Sequence, residues 1–465
     1  MKYSVVIILI ILLFFCPVIL AANRREILNE YPNSVNVEPK INLSDDGKSA
    51  NISAGVENIL DVNLDDCIKL ALGNNPRIQS AMQDVFASDA RLKEVWSNYF
   101  PQFSWQTGYS RIRQLQLSDV FQENLIYNFW VLGQISASQM LYDFGVTQNQ
   151  ATIRRLDSQG YKIILTGTIN DVIYQVKDAY YYLQYAIASV IVAEQTVKQY
   201  QAFYEQARAF YLSGVKSKVD VTIAEVNFSN SKLSLIQAEH NVKIATANLN
   251  NAIGIPYNTK YNLTEKLKLE QCNINLNEAI DITKESRPEF LLADIKVEQA
   301  KQNVKLIKKS WMPQLTIEGQ FEVGGRHPDS NYGYSFGGYI NFPTINGMLI
   351  KHELREARSI YSREQANALN TKNNVYLEVQ NAYYSLDEKR NKIPVAHLNM
   401  KQAKENYELS SGRYNAGVAD AVELKDAQLQ YANSKLTYYR TLYELNSAKA
   451  NLEKSIGRNI TSFSH

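Results

Sequence analysis

What this 465-residue chain lacks narrows its function first. Its three cysteines, Cys16, Cys67 and Cys272, are too few for a disulfide framework, and none has metal-site spacing. Cys16 follows Phe14 and Phe15 rather than a small residue, which argues against lipidation, and the other two read as ordinary buried or half-buried thiols. The five histidines, His240, His327, His352, His397 and His465, are scattered without an i, i+4 His or Cys partner. No phosphate loop, Gly-x-Ser-x-Gly or Rossmann glycine pattern occurs, so the sequence supports no enzyme, cofactor or metal site. An excess of one charge is missing too: 49 basic residues face 47 acidic ones, with no basic block suited to nucleic acid. Beyond the N-terminal leader no apolar run approaches the roughly 18 residues of a membrane-crossing helix. If such a chain spans a bilayer, it must do so as a barrel.

What is present begins with Lys2, an apolar run from Val5 to Leu20, then Ala21 and Ala22, the pattern of a secretory signal peptide over residues 1–22. Residues 23–62, rich in Asn, Ser and Asp, read as a flexible segment. The rest is one unit given twice. Asn75-Pro76-Arg77 recurs as Arg287-Pro288-Glu289, and Phe100-Pro101-Gln102 as Met312-Pro313-Gln314, both 212 residues later. Asp178-Ala179-Tyr180 returns as Asn381-Ala382-Tyr383, Gly214-Val215 as Gly417-Val418, and Ile253-Gly254 as Ile456-Gly457, at an offset of 203. The repeats are assigned to residues 63–255 and 275–465, with a linker over 256–274.

Each repeat opens on a helix-start signature, Asn63 with Asp66 and Asn275 with Glu278, and the opening helices run up to Pro101 and Pro313. Strands follow. In the second repeat Leu315, Ile317, Gly319, Phe321 and Val323 alternate with Gln314, Thr316, Glu318, Gln320 and Glu322, the period of a sheet with one apolar and one polar face. Its partner carries Tyr332, Tyr334, Phe336, Ile340 and Phe342 on one face. The first repeat has Phe103, Trp105, Thr107 and Tyr109, then Phe129, Val131, Gly133, Ile135 and Ala137 opposite Gln134, Ser136 and Ser138. Strands of roughly ten residues with aromatics near their ends suit a bilayer, and a soluble antiparallel sheet would alternate in the same way. The loop between strands is expected over about residues 112–127 in the first repeat and 324–331 in the second.

Past Gly145 the period becomes helical. Val176, Ala179, Leu183, Ala186, Val190, Ala193, Val197 and Tyr200 form a heptad seam, matched 203 residues on by Val379, Ala382, Leu386, Ile393, Ala396, Met400 and Ala403, with Lys389 breaking the register. A helix over 146–212 would be on the order of 100 Å long. The segments 64–99 and 218–253 would span a similar length end to end, which suggests the wall of a tube. The order helix, strand, strand, long helix, Gly turn, helix, given twice, resembles the TolC family of outer-membrane efflux proteins across nearly the whole chain. Met140-Leu-Tyr-Asp-Phe-Gly145 and Ile340-Asn-Phe-Pro-Thr-Ile-Asn-Gly347 look like that family's strand-to-helix joints, and Tyr414-Asn-Ala-Gly417 with Glu423 like its periplasmic tip. A departure is Pro394, where the first repeat has Ile191, and a kink is expected there.

The resemblance implies a mostly α protein with a small transmembrane β-barrel. Four strands cannot enclose a lumen, but a homotrimer supplies twelve, continued by an α-helical tunnel. It further implies a bacterial outer-membrane protein with a large periplasmic part, working with a periplasmic adaptor and an inner-membrane pump of RND, ABC or MFS type. Gln314, Thr316, Glu318, Gln320 and Glu322 would line the pore, and the turns at Gly214 and Gly417 would meet the adaptor. In that family, carboxylates at the positions of Glu423 and Asp426 ring the closed entrance, and Asp220 and Tyr414 match members of the network holding it shut. Asp420 adds a further acid to the cluster. An arginine of that network matches Ala419, leaving Lys216 and Lys218 as candidate replacements. Efflux of small molecules or ions and type I protein secretion share this architecture, and a structural coiled-coil envelope protein is the reading from a different class.

Overall fold

The computed structural model describes residues 60–117, 122–257, 259, 261–264, 267–268, 274–327, 331–343 and 348–458. Residues 1–22, expected as a signal peptide, nearly all of the expected flexible segment, Cys16 and Cys272 lie outside these residues. The first repeat consists of α1 (Leu64–Asn74), α2 (Pro76–Trp96), β2 (Gln102–Leu117), β3 (Gln122–Tyr142), α3 (Val146–Leu212) and α4 (Lys218–Ile253). The second gives the same order in α5 (Leu276–Ser286), α6 (Pro288–Lys309), β5 (Gln314–Gly325), β6 (Asn331–Asn341), α7 (Leu349–Asn415) and α8 (Ala421–Ile456). A short β1 (Leu60–Val62) pairs in parallel with β4 (Tyr261–Leu263), so the last residues of the expected flexible segment are ordered as strand. Among the described residues no helix is long and apolar enough to cross a membrane.

The chain divides into two compact units. One, with residues 89–156 and 299–361, holds the antiparallel sheet in the order β2-β3-β5-β6. The other, with residues 52–88, 157–298 and 362–465, holds the cores of the helical part. There Val172, Val176 and Leu183 of α3 pack with Leu249 and Ile253 of α4 and with Cys67 and Ala71 of α1. The second repeat builds the same core from Val375, Val379 and Leu386 of α7, Leu452 and Ile456 of α8, and Ala279 of α5. Cys67 is fully buried, and burial, with Asp66 adding to it, pushes its thiol up to about 12, leaving it protonated and inert.

Three expectations need correction. The opening helices are each broken in two, at Asn75 (φ −68, ψ 121) and Arg287 (φ −75, ψ 121), because a following proline drives its predecessor into extended backbone and then starts a new helix. Each break closes on the glycine that ends the repeat. A Cβ on Gly254 would lie 2.8 Å from Asn75 Cα, and one on Gly457 2.7 Å from the Ser286 carbonyl oxygen. Second, β2 and β3 hold 16 and 21 residues and pair out to Leu117 and Gln122, so most of the expected loop over 112–127 is ladder. Backbone pairing there needs no apolar face, and so leaves no alternation to read. Third, Asn63 and Asp66 form the reciprocal cap, whereas Asn275 makes no side-chain cap bond. Pro394, where a kink is expected, lies inside α7, and the helix continues across it.

Candidate functional site

Directly opposed residues of neighbouring strands project to the same face, so the register assigns both faces of the sheet. Trp105, Ile135, Phe321 and Tyr334 form one row across all four strands. Trp105 and Tyr334 are each 75% exposed, and Phe103, Tyr332, Phe336 and Ile340 are exposed as well. An apolar face this wide facing outward marks a non-aqueous neighbour. The rows between carry the opposite chemistry: Ser104, Ser136, Gln320 and Ser335 in one, Gln106, Gln134, Glu322 and Gly333 in the next, Gln102, Ser138, Glu318 and Gly337 in a third. Gln320 Nε2 donates to Glu322 at 3.4 Å, and Asn341 Nδ2 to Thr316 at 3.1 Å. Thr316 stands between Met140 and Tyr339, and Gln314 faces Asn341 at the end of the ladder.

The face expected for the far half of β3 is corrected. The register slips between Val131 and Gly133, leaving Leu132 as an extra residue and reversing the alternation beyond it. Tyr109 therefore opposes Trp130, with ring centroids 4.5 Å apart, and Phe129 falls beside Gln320 and Glu322. A bulge leaves no mark in the hydrophobic pattern when, as here, apolar residues fill both parities.

The strand-to-helix joint after β3 is built on Asp143, which is 1% exposed. Its carboxylate accepts from Tyr99 Oη at 2.9 Å, Gly145 N at 3.1 Å and Thr147 N at 2.5 Å. Burial acts to raise its pKa, and these bonds, led by those from Thr147, hold it below the ordinary 3.8. Phe144 (φ 54) and Gly145 (φ 80) make the turn, and Lys309 Nζ reaches the Gly145 carbonyl at 3.2 Å. The matching joint of the second repeat, residues 344–347, lies outside the described residues.

At the other candidate site, the long helices end in left-handed glycines, Gly214 (φ 76) and Gly417 (φ 77). Tyr414 is fully buried among Phe203, Ala207, Ala224 and Leu424, and its hydroxyl has no hydrogen-bond partner among the described residues. Burial, with the Asp220 charge adding to it, raises the phenol above its ordinary 10.0. Asp220 acts on Tyr414 through its charge. Its carboxylate accepts from Ser217 N at 3.1 Å and Ser217 Oγ at 2.9 Å, closing the start of α4. Asp420 likewise caps α8 by accepting from Glu423 N at 2.7 Å. Glu423 meets Arg413 at 3.4 Å, a partner missed in the sequence because the two are ten residues apart and face each other only once the Gly417 turn is made. Asp426 stays exposed beside Lys425. Lys216 Nζ lies 3.4 Å from the Ala419 carbonyl and 5.6 Å from the Tyr414 ring centre, while Lys218 is exposed at the start of α4. Gln206 also joins the two repeats here, donating to Asn415 Oδ1 at 2.7 Å. Among the described residues no cluster of His, Cys, Asp and Glu could hold a metal ion.

The family model for outer membrane efflux proteins matches residues 67–255 and 279–458. The chain is 21% identical over 400 residues to the toxin and drug export protein A of Aggregatibacter actinomycetemcomitans, covering 84% of this chain and 85% of that one. Its fold is similar to the CmeC outer membrane channel of Campylobacter jejuni, with a TM-score of 0.74, 17% identity and 85% of each chain covered. It is also similar to the open state of the MtrE outer membrane channel of Neisseria gonorrhoeae, with a TM-score of 0.71, 18% identity, and 88% of this chain and 94% of that one covered.

Proposed function

This chain belongs to the outer membrane efflux protein family and is an outer-membrane efflux duct with a periplasmic tunnel, and on that premise we propose that three copies pool their four strands into one twelve-stranded barrel. The observation that carries this is the sheet, whose apolar face of Trp105, Ile135, Phe321 and Tyr334 suits lipid while its opposite face of Ser, Gln and Glu suits water. A four-stranded sheet of this kind is left with two open edges, which two further copies would pair.

In this reading the two repeats, 63–255 and 275–465, each supply one hairpin to the barrel and one antiparallel helix pair to the tunnel. Gln314, Thr316, Glu318, Gln320 and Glu322 line the water-filled side. The turns at Gly214 and Gly417 are the periplasmic tips that receive the adaptor, and Glu423 and Asp426 narrow the mouth. Conduction is passive, and an inner-membrane pump of RND, ABC or MFS type supplies the driving force through the adaptor. Type I secretion stands as a second reading, because the relative in Aggregatibacter is described as exporting both toxin and drug.

Purified protein added to planar bilayers should give stepwise channels, and on a gel it should run as a heat-resistant trimer. A monomer without conductance would defeat the reading. In cells, crosslinkers at Ser213 or Ala416 should capture a periplasmic adaptor, and capture only from positions near the strands would invert the topology.

A further inference from the structure

The register brings the helix-joined ends of all four strands to one edge of the sheet. Gln102 pairs with Ser138 near the end of β3, Met140 with Thr316 near the start of β5, and Gln314 with Asn341 at the end of β6. At that edge each strand meets its helix through an exposed aromatic: Phe100 before β2, Tyr142 and Phe144 after β3, Trp311 before β5 and Phe342 after β6. Cations follow on every helix. Lys93 stands on α2, Arg155 on α3, Lys305 and Lys308 on α6, Lys351 and Arg355 on α7, all exposed and all without an ion pair or hydrogen bond among the described residues.

The helical stretches next to the sheet, 89–99, 143–156, 299–313 and 348–361, hold eleven Lys and Arg against five Asp and Glu, in a chain that is otherwise close to neutral. The excess lies mainly on 299–313, with four basic residues and no acidic one, against two to two on 89–99, two to one on 143–156 and three to two on 348–361; what recurs at all four joints is an exposed cation with no partner among the described residues. The order along each joint, apolar face, then aromatic, then cation, is the order of a leaflet: hydrocarbon, interface, phosphate. Lys93 lies about 10 Å along the chain from Phe100 and Lys305 about 9 Å from Trp311 at helical rise. Both distances are near the roughly 8–10 Å over which charge acts at physiological salt. Lys305 with Lys308, and Lys351 with Arg355, are spaced to share a helix face.

We propose that these cations form a collar that binds the headgroup phosphates of anionic phospholipid in the periplasmic leaflet, fixing the depth at which the duct sits. The inference rests on reading the sheet as the membrane-crossing part. The test uses the full-length trimer in detergent, offered phosphatidylglycerol, phosphatidylcholine, lipid A or inorganic phosphate, with retained lipid read by native mass spectrometry and conductance measured on the same sample. Phosphatidylglycerol should be retained about tenfold over phosphatidylcholine, whose phosphate charge is offset by its own choline cation, as expected for a few cations drawn to net negative lipid. Raising the salt so that the screening length falls to roughly 3 Å should remove that preference. Lys305→Gln with Lys308→Gln should reduce the preference, and adding Lys351→Gln with Arg355→Gln should abolish it, with trimer yield and conductance unchanged. A variant that keeps the preference, lipid A retained over phosphatidylglycerol, or displacement by inorganic phosphate at equal concentration would each overturn the collar. Wild-type protein that gives no conductance would instead remove the duct reading beneath it.

Discussion

The two turns that end the long helices share one backbone and carry different chemistry. The Phe210 carbonyl accepts from Val215 and Lys216, and 203 residues later the Arg413 carbonyl accepts from Val418 and Ala419, each around a left-handed glycine. Their side chains are deployed in opposite ways. In the first turn Asp220 folds back on Ser217, so its charge is engaged in closing a helix. In the second, Asp420 takes the cap and its neighbour Glu423 meets Arg413 instead. Tyr211 is 44% exposed where its counterpart Tyr414 is fully buried. The difference teaches that duplication supplied a turn twice and that the copies then diverged, the second burying its aromatic and pairing an acid with Arg413.

The largest expected effect tests the buried aromatic. Tyr414→Ala should cost about 3–5 kcal/mol through the cavity left among Phe203, Ala207 and Leu424, whereas Tyr211→Ala should stay within roughly 0.5 kcal/mol. Tyr414→Phe should be close to neutral, because the hydroxyl it removes is buried without a partner among the described residues. Urea unfolding of the three variants decides this, and equal losses for the two alanine variants would erase the contrast. The raised phenol pKa adds a sign. The folded state holds that proton more tightly than the unfolded one, so Tyr414 contributes stability below about pH 10 that is lost as pH climbs toward its folded value. In Tyr414→Phe that alkaline loss should shrink.

Next in size are the caps. Ser217→Ala and Asp420→Ala should each cost about 1 kcal/mol, since both remove a side-chain oxygen from a helix start. Asp220→Ala should also lower stability while leaving ion selectivity alone, because its carboxylate already serves the Ser217 cap. Glu423→Ala with Asp426→Ala should do the reverse, weakening cation selectivity and block by a trivalent cation in planar bilayers with trimer yield unchanged. Selectivity that follows Asp220 rather than Glu423 and Asp426 would exchange the roles of the two turns.

Much of this was legible in the sequence, and the misses have physical causes. The long helices were readable because heptads repeat over many turns, and β5 because each of its faces is chemically uniform. The break at Asn75 was signalled by Pro76, yet the helical period continues across it, so only the backbone shows that one helix is two. The Leu132 bulge and the ladder over 112–117 were hidden because backbone pairing there is independent of side-chain pattern. At the tips the sequence groups Asp220, Tyr414, Asp420, Glu423 and Asp426, but spacing does not separate an acid that caps a helix from one that faces a cation. Arg413 carried no signal, since its partner lies across a turn.

The smallest expected effect concerns Lys216, which stands where the second turn has Ala419 and is the side chain that crosses from one turn to the other. Its ammonium lies 3.4 Å from the Ala419 carbonyl and 5.6 Å from the Tyr414 ring centre, so it ties the first turn to the second through one hydrogen bond and one cation–π contact. Half-buried contacts of this kind contribute no more than about 1 kcal/mol, which permits roughly a fivefold change in the ratio of open to closed mouths. Lys216→Gln should therefore raise the frequency of brief openings in single-channel records by a few-fold without changing open-state conductance, and Lys216→Arg should restore closure. Lys218→Gln, which removes an exposed charge two residues away, should leave the records unchanged. If Lys216→Gln and Lys218→Gln behave alike, the two turns are held by the Tyr414 pocket and the Gln206–Asn415 bond alone, and the lysine is surface.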